Sequence, residues 1–171
     1  MQFKLSVCCC LTWLMLGVAR AAPAGADWRV VSATLTRGDT AVQITYRNGQ
    51  VVTIRKIYPE ESFDPPVISQ DRLSVGWSVE RRVDASYAIP ADAHIYRNGR
   101  AIVPWYCPGG VIEYWQFEAG GKWVSFEQGN PHGVPQEHWC LVDVANGHVL
   151  GRVNVDDDTG KVPPGAPAWA R

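Results

Sequence analysis

Repetition constrains this chain more than any other feature. Tyr46-Arg47-Asn48-Gly49 returns as Tyr96-Arg97-Asn98-Gly99, the two copies starting at 46 and 96. A third version, Ala145-Asn146-Gly147, stands between Leu141-Val142-Asp143-Val144 and Val149-Leu150. Each copy separates two β-prone runs. Around the first, Val42, Ile44 and Tyr46 alternate with Ala41, Gln43 and Thr45, and Val51-Val52-Thr53-Ile54 follows. Asn-Gly between such runs predicts a hairpin, because both residues tolerate the positive φ of a type I′ turn.

A second phrase repeats at nearly the same interval, 49 residues instead of 50. Leu73, Val75, Trp77 and Val79 alternate after the polar turn Ser69-Gln70-Asp71-Arg72. Val124 and Phe126 take the places of Val75 and Trp77 after the turn Glu118-Ala119-Gly120-Gly121, and Phe117 takes the place of Ile68. Each unit reads strand, turn, strand, loop, strand, Asn-Gly turn, strand. Full units are expected at about 66–102 and 115–153, with half a unit at 33–57. No helical periodicity of useful length follows residue 27. A period of roughly 50 residues with about four short strands per unit is the pattern of propeller blades.

Two stretches resemble a known family. Pro66-Val67-Ile68-Ser69-Gln70-Asp71-Arg72-Leu73-Ser74-Val75-Gly76-Trp77 resembles the strand-turn-strand opening of WD-like repeats in Tol-type periplasmic β-propellers. Leu141-Val142-Asp143-Val144-Ala145-Asn146-Gly147-His148-Val149-Leu150 is similar to their closing hairpin, an Asp-x-x-x-Gly turn between apolar strands. The resemblance implies an all-β fold of antiparallel, blade-like hairpins. A closed ring takes at least about four blades. Two and a half are present, so an open arrangement is expected, with its edges covered by loops or a partner. The alternative is a face-to-face β-sandwich.

The N-terminus reads as an export signal. Met1 and Lys4 form a positive start, Leu5 to Val18 is an uncharged apolar run, and Ala19, Ala21, Ala22, Ala24, Gly25 and Ala26 are small. Cleavage after Ala21 or Ala26 fits the small-x-small rule. The run falls short of the ~20 residues that span a bilayer. Residues 1–26 are thus expected as a signal peptide with a signal helix, 27–158 as a single β domain, and 159–171 as an extended Pro-rich tail marked by Pro163, Pro164 and Pro167. No transmembrane segment is expected after cleavage, and the mature chain is expected in the periplasm or secreted.

Cys8, Cys9 and Cys10 lie at the start of the apolar run, where lipidation is not expected, and leave with the leader. Cys107 and Cys140 remain. In an oxidising compartment an even count suggests one disulfide, which would stabilise by roughly 3–4 kcal/mol; two buried free thiols are the alternative. No Cys-x-x-Cys redox spacing occurs. Of 16 basic and 17 acidic side chains, Lys4 and Arg20 leave with the leader, so the mature chain carries 14 and 17, a net of −3. That balance argues against nucleic acid as a partner, because phosphate binding needs a basic face.

Candidate chemistry is sparse. Trp105, Tyr106, Tyr114 and Trp115 flank the Cys107-Pro108-Gly109-Gly110 turn and are the candidate ligand-facing aromatics, as a platform for sugar rings. Core packing is the competing role, and alternation along a strand sends at least one of each pair inward. His94, His132, His138 and His148 lack the spacing of a metalloprotease helix; His132 and His138 share a turn-rich loop with Glu137. Asn154, Asp156 and Asp158 alternate like calcium ligands, but Gly160 falls one place late and Gly165 stands where a bidentate Glu belongs. A solvated turn is the expected role of that run. No Gly-x-Ser-x-Gly elbow occurs, Ser125 is expected to face solvent on its strand, and Glu60-Glu61 lies in a Pro-flanked linker. No catalytic residue, metal ligand or cofactor is therefore assigned.

These readings lead to an exported, non-enzymatic module of the cell envelope. It is expected to bind an envelope protein, or a second copy of itself, through strand edges or loops. A glycan-binding or glycan-processing envelope protein is the alternative. The loops 81–90 and 128–136 hold equivalent places in the two units and differ in sequence, so specificity is expected there.

Overall fold

The structure, a computed structural model, describes residues 25–59, 61–81, 88–106, 111–129, 138–156 and 161–171, with the side chains of 103–106 outside the description. The expected signal helix and residues 60, 82–87, 107–110, 130–137 and 157–160 lie outside the described residues.

The strands form antiparallel sheets in chain order. The first sheet holds β1 (Val30–Leu35), β2 (Ala41–Tyr46) and β3 (Val51–Arg55), in the order β1-β2-β3. The second holds β4 (Ser62–Phe63), β5 (Val67–Ile68), β6 (Ser74–Arg81), β7 (Ile89–Arg97) and β8 (Arg100–Tyr106), with β4 and β5 both pairing to β6. The third holds β9 (Val111–Glu118), β10 (Trp123–Gly129), β11 (His138–Asp143) and β12 (Val149–Asn154). The chain is all-β and open, as the repeats lead one to expect. Pro65 and Pro66 stand between β4 and β5, and proline's missing N–H accounts for the interruption of an otherwise single edge strand.

Alternation explains how the sheets stack. On β6, Val75, Trp77 and Val79 point one way and are buried against Val30, Val42, Ile44 and Tyr46 of the first sheet. The opposite face of β6 carries Ser74, Gly76 and Ser78, all small, and the third sheet comes close there. Ala93 and Ile95 of β7 join Ile112, Val124, Phe126 and Val142 in a second core. The second sheet is therefore the middle layer. Val75 and Trp77 face the sheet before them, and so do Val124 and Phe126, as their equivalence requires.

The tail does not trail away. Residues 161–171 turn back onto the outer face of the third sheet, where Trp139, Val155 and Ala170 form a third cluster with Val153, Val162 and Trp169. A short 3-10 turn at Ala168–Ala170 touches β10 and β11. This corrects the reading of Ser125. It lies on the outer face but is fully buried, because the tail covers it, and its hydroxyl donates to Glu118 Oε1 at 3.0 Å.

The Asn-Gly turns differ among themselves. Asn98 and Gly99 both have positive φ, 52° and 72°, and join Arg97 to Arg100 as a two-residue I′ hairpin. At Asn48-Gly49 only the glycine is left-handed, at 81°, and Gly49 N–H donates to Tyr46 C=O at 3.0 Å, a type I turn followed by a left-handed glycine. The third loop is wider still, with Gly147 N–H donating to Asp143 C=O at 2.8 Å.

Candidate functional site

The repeat exposes an omission. β6 and β10 each pair with a following strand on one side and with a preceding strand on the other: β4 and β5 for β6, β9 for β10. β1 holds the equivalent place in the first sheet, since β2, an Asn-Gly turn and β3 follow it. Among the described residues, no strand pairs with β1 on its far side. Among those residues, the first sheet has no counterpart of the strand that opens the other two.

One arginine caps the beginning of that edge. Arg72 sits in the turn before β6 with a left-handed φ of 57°. Its carbonyl accepts from Val30 N–H at 2.6 Å, and its guanidinium donates to the carbonyls of Val30 and Val31 at 2.8 Å each. The pairing with β2 shifts register between Val30 and Ser32, which leaves Val31 54% exposed. Beyond it, Ser32 to Leu35 pair with β2 alone.

Beside the capped end lies a cleft of about 260 Å³, lined by Arg29, Val30, Val31, Arg47 and Arg72. Arg29 forks Asp27 through two hydrogen bonds of 2.9 and 2.8 Å, which holds that carboxyl down to about 2. The Arg47 backbone N–H donates to Arg29 C=O at 2.8 Å. Its guanidinium makes no hydrogen bond or ion pair among the described residues.

The equivalent arginine in the second sheet is occupied. Arg97 donates to Asp71 Oδ2 at 3.1 Å and to Ser74 Oγ at 2.9 Å. Burial pushes the Asp71 carboxyl up, but hydrogen bonds from Ser69, Leu73 N–H and Arg97 outweigh that and bring it below its ordinary value. Asp71 N–H also donates to Gly120 C=O at 2.9 Å, so this turn ties the second sheet to the third.

A buried ionic cluster lies on the opposite face of the second sheet, the one that carries Trp77 and Val79 toward the first sheet. Arg81 pairs with Glu61 at 3.1 Å and with Asp92, and both carboxylates are almost wholly buried. Glu61 Oε2 accepts from the backbone N–H groups of Ile57 and Tyr58 at 2.8 and 3.2 Å. Burial raises the Asp92 carboxyl above its usual range despite Arg81. Burial also lowers the imidazole of His94, packed against Trp77 at 5.6 Å. Glu61 thus holds firm geometry that its Pro-flanked sequence did not suggest. A buried, paired Arg81 at a strand end was the missing signal, and no alternation pattern reveals such a pair.

The aromatics foreseen as ligand-facing fall on different faces. Trp115 points inward, its Nε1 donating to Ser78 Oγ at 2.9 Å and its six-membered ring seated over Gly76. Tyr114 points outward, 47% exposed, with its ring 6.0 Å from Trp139. The side chains of Trp105 and Tyr106 lie outside the described residues. Trp123, 38% exposed on the same outer face as Tyr114, went unremarked in the sequence because no second aromatic adjoins it.

Cys140 is a buried free thiol beside Gln128, with Sγ 3.8 Å from Oε1. No disulfide forms among the described residues, and Cys107 lies outside them. No cluster of three or more His, Cys, Asp and Glu set to hold a metal occurs among the described residues. His132, Glu137 and Asp158 are not among those residues, and Asp156 bridges to Lys161. No helix there is long and apolar enough to cross a membrane. No protein-family model, curated protein or solved structure matches the chain.

Proposed function

We propose that this protein is an exported, non-enzymatic interaction module of the cell envelope that takes an extended segment of a partner protein onto β1. The observation that carries this reading is the first sheet itself, which among the described residues has no counterpart of the opening strand present in the other two. Strand addition supplies main-chain hydrogen bonds to an edge, with specificity from alternate side chains. The small-residue leader and the WD-like resemblance of residues 66–77 and 141–150 support placement in the envelope, periplasmic or secreted.

The test is a photo-reactive side chain at Thr34, on the unpaired stretch of β1, activated in cells of the native host. A matched protein carries it at Thr53 on β3. The reading expects one dominant partner at Thr34, cross-linked within a short extended segment when the adduct is digested and sequenced. Equal capture at both positions, or capture of scattered surfaces only, contradicts it.

A glycan of the envelope is the second reading, favoured by the exposure of Tyr114 and Trp123 on one face of the third sheet. Titration with soluble peptidoglycan fragments, compared between the parent and Tyr114→Ala, checks it. Indistinguishable responses remove it.

A further inference from the structure

We propose that the segment taken up by β1 is acidic, with a carboxylate near its C-terminal end entering the cleft between Arg29, Arg47 and Arg72. This rests on the strand-addition reading above and names the chemistry of the partner.

Arg47 and Arg97 hold the same place in the repeated Tyr-Arg-Asn-Gly phrase. In the second sheet, Asp71 follows the opening strand β5, and Arg97 binds it at 3.1 Å. In the third sheet, Glu118 closes the opening strand β9, and Ser125 and Gln116 donate to it at 3.0 and 2.7 Å. The opening strand of each complete sheet therefore delivers a carboxylate at its C-terminal end. Among the described residues, the first sheet has the arginine but neither an opening strand nor a carboxylate bonded to that arginine, which meets Asp27 only through a minor electrostatic attraction. Asp27, which lies nearby in sequence, is already forked by Arg29.

Direction agrees with this. β5 runs antiparallel to β6, and β9 to β10. A strand entering in the same sense runs antiparallel to β1, so its C-terminal end arrives at Val30, where the cleft lies. Guanidinium groups favour carboxylates through paired, charge-assisted hydrogen bonds. Arg72 adds a third positive charge while holding the first two edge carbonyls, which places the incoming backbone against Ser32–Leu35.

The experiment uses fluorescence anisotropy with three labelled peptides. One alternates threonine and valine over six residues and ends in two aspartates, a second replaces the aspartates with asparagines, and a third keeps the acids but carries a central proline. Inorganic phosphate serves as competitor. The acidic peptide is expected to bind roughly tenfold more tightly than the neutral one. Arg47→Gln is expected to erase that difference, and its melting temperature to stay close to the parent's, because the Arg47 guanidinium makes no hydrogen bond or ion pair among the described residues and feels Asp27, already forked by Arg29, only as a minor electrostatic attraction.

Equal binding of acidic and neutral peptides overturns the acid preference and leaves strand addition standing. Equal binding of the proline peptide, displaced by millimolar phosphate, overturns the inference in favour of a simple anion site. No binding by any peptide overturns this inference together with the strand-addition reading.

Discussion

Gly76 illustrates how single positions set the spacing between sheets. A Cβ built there would lie 2.6 Å from Trp115 Cη2 and 2.7 Å from Ile95 Cδ1. Its φ is ordinary, so the requirement is one of space, not backbone freedom. Gly76→Ala is expected to destabilise by about 1–3 kcal/mol through overpacking, measured by urea unfolding. His94 makes a prediction in pH. It packs against Trp77 and Phe63, with Asp92, Glu61 and Arg81 around it, and burial lowers its folded pKa. The unfolded chain therefore takes up its proton first as pH falls, so stability is lost below about 6.5. Asp92, raised by burial, acts in the opposite sense in its own window above the ordinary carboxylate value, losing stability as pH rises. His94→Gln should flatten the acid limb of a melting-temperature profile between pH 6.5 and 5. An unchanged limb would show that other groups cause it.

At the scale of elements, turns with the same letters do different work. Gly49 and Gly99 both have positive φ, at 81° and 72°. A Cβ on Gly49 meets nothing within 4 Å, whereas on Gly99 it runs into the Trp28 ring. Gly99→Ala is thus expected to cost more than Gly49→Ala, where only backbone strain of about 1–3 kcal/mol applies. Comparison of the two urea midpoints decides it. The repeated letters announced a hairpin at each site, but the turn type depended on neighbours distant in sequence. Trp28 packs at the second turn and none of the repeat units contains it. The C-terminal strip followed the same rule. Its prolines correctly forbade a long helix, yet the docking of Trp169 over Gly151, 3.1 Å from a Cβ built there, involves a contact no local pattern encodes.

For the molecule as a whole, periodicity made strand order and inward faces readable, because each unit solves the same packing problem, while β1 made the expected half unit a three-stranded sheet and β4 gave the second sheet a fifth strand. Val75 and Trp77 announced Val124 and Phe126. What the stack does at its two ends was not readable, since end faces have no repeat partner to predict them. The first sheet ends in exposed Val31, Ser32, Thr34, Gln43 and Thr53, while the third ends under residues 161–171. The candidate site shared that fate: Arg47 could be seen to repeat Arg97, but that no carboxylate among the described residues bonds to it appears only once the sheets are assembled. Removing residues 161–171 should uncover Trp139 and promote self-association, detected by sedimentation velocity across a concentration series. A truncated chain that sediments like the parent would mean that the strip does not guard this face.

The central claim is that β1 is an open edge, with no strand paired to its far side among the described residues. Residue-resolved hydrogen exchange on the unliganded protein tests it most directly. Backbone amides on an edge exchange when they point away from their one partner, while those of interior strands are held on both sides. Alternate amides among Ser32–Leu35 are predicted to exchange quickly, while those of β6 and β10 stay slow throughout. Uniformly slow exchange along β1, matching β6 and β10, would mean that the place is already filled and would contradict the account.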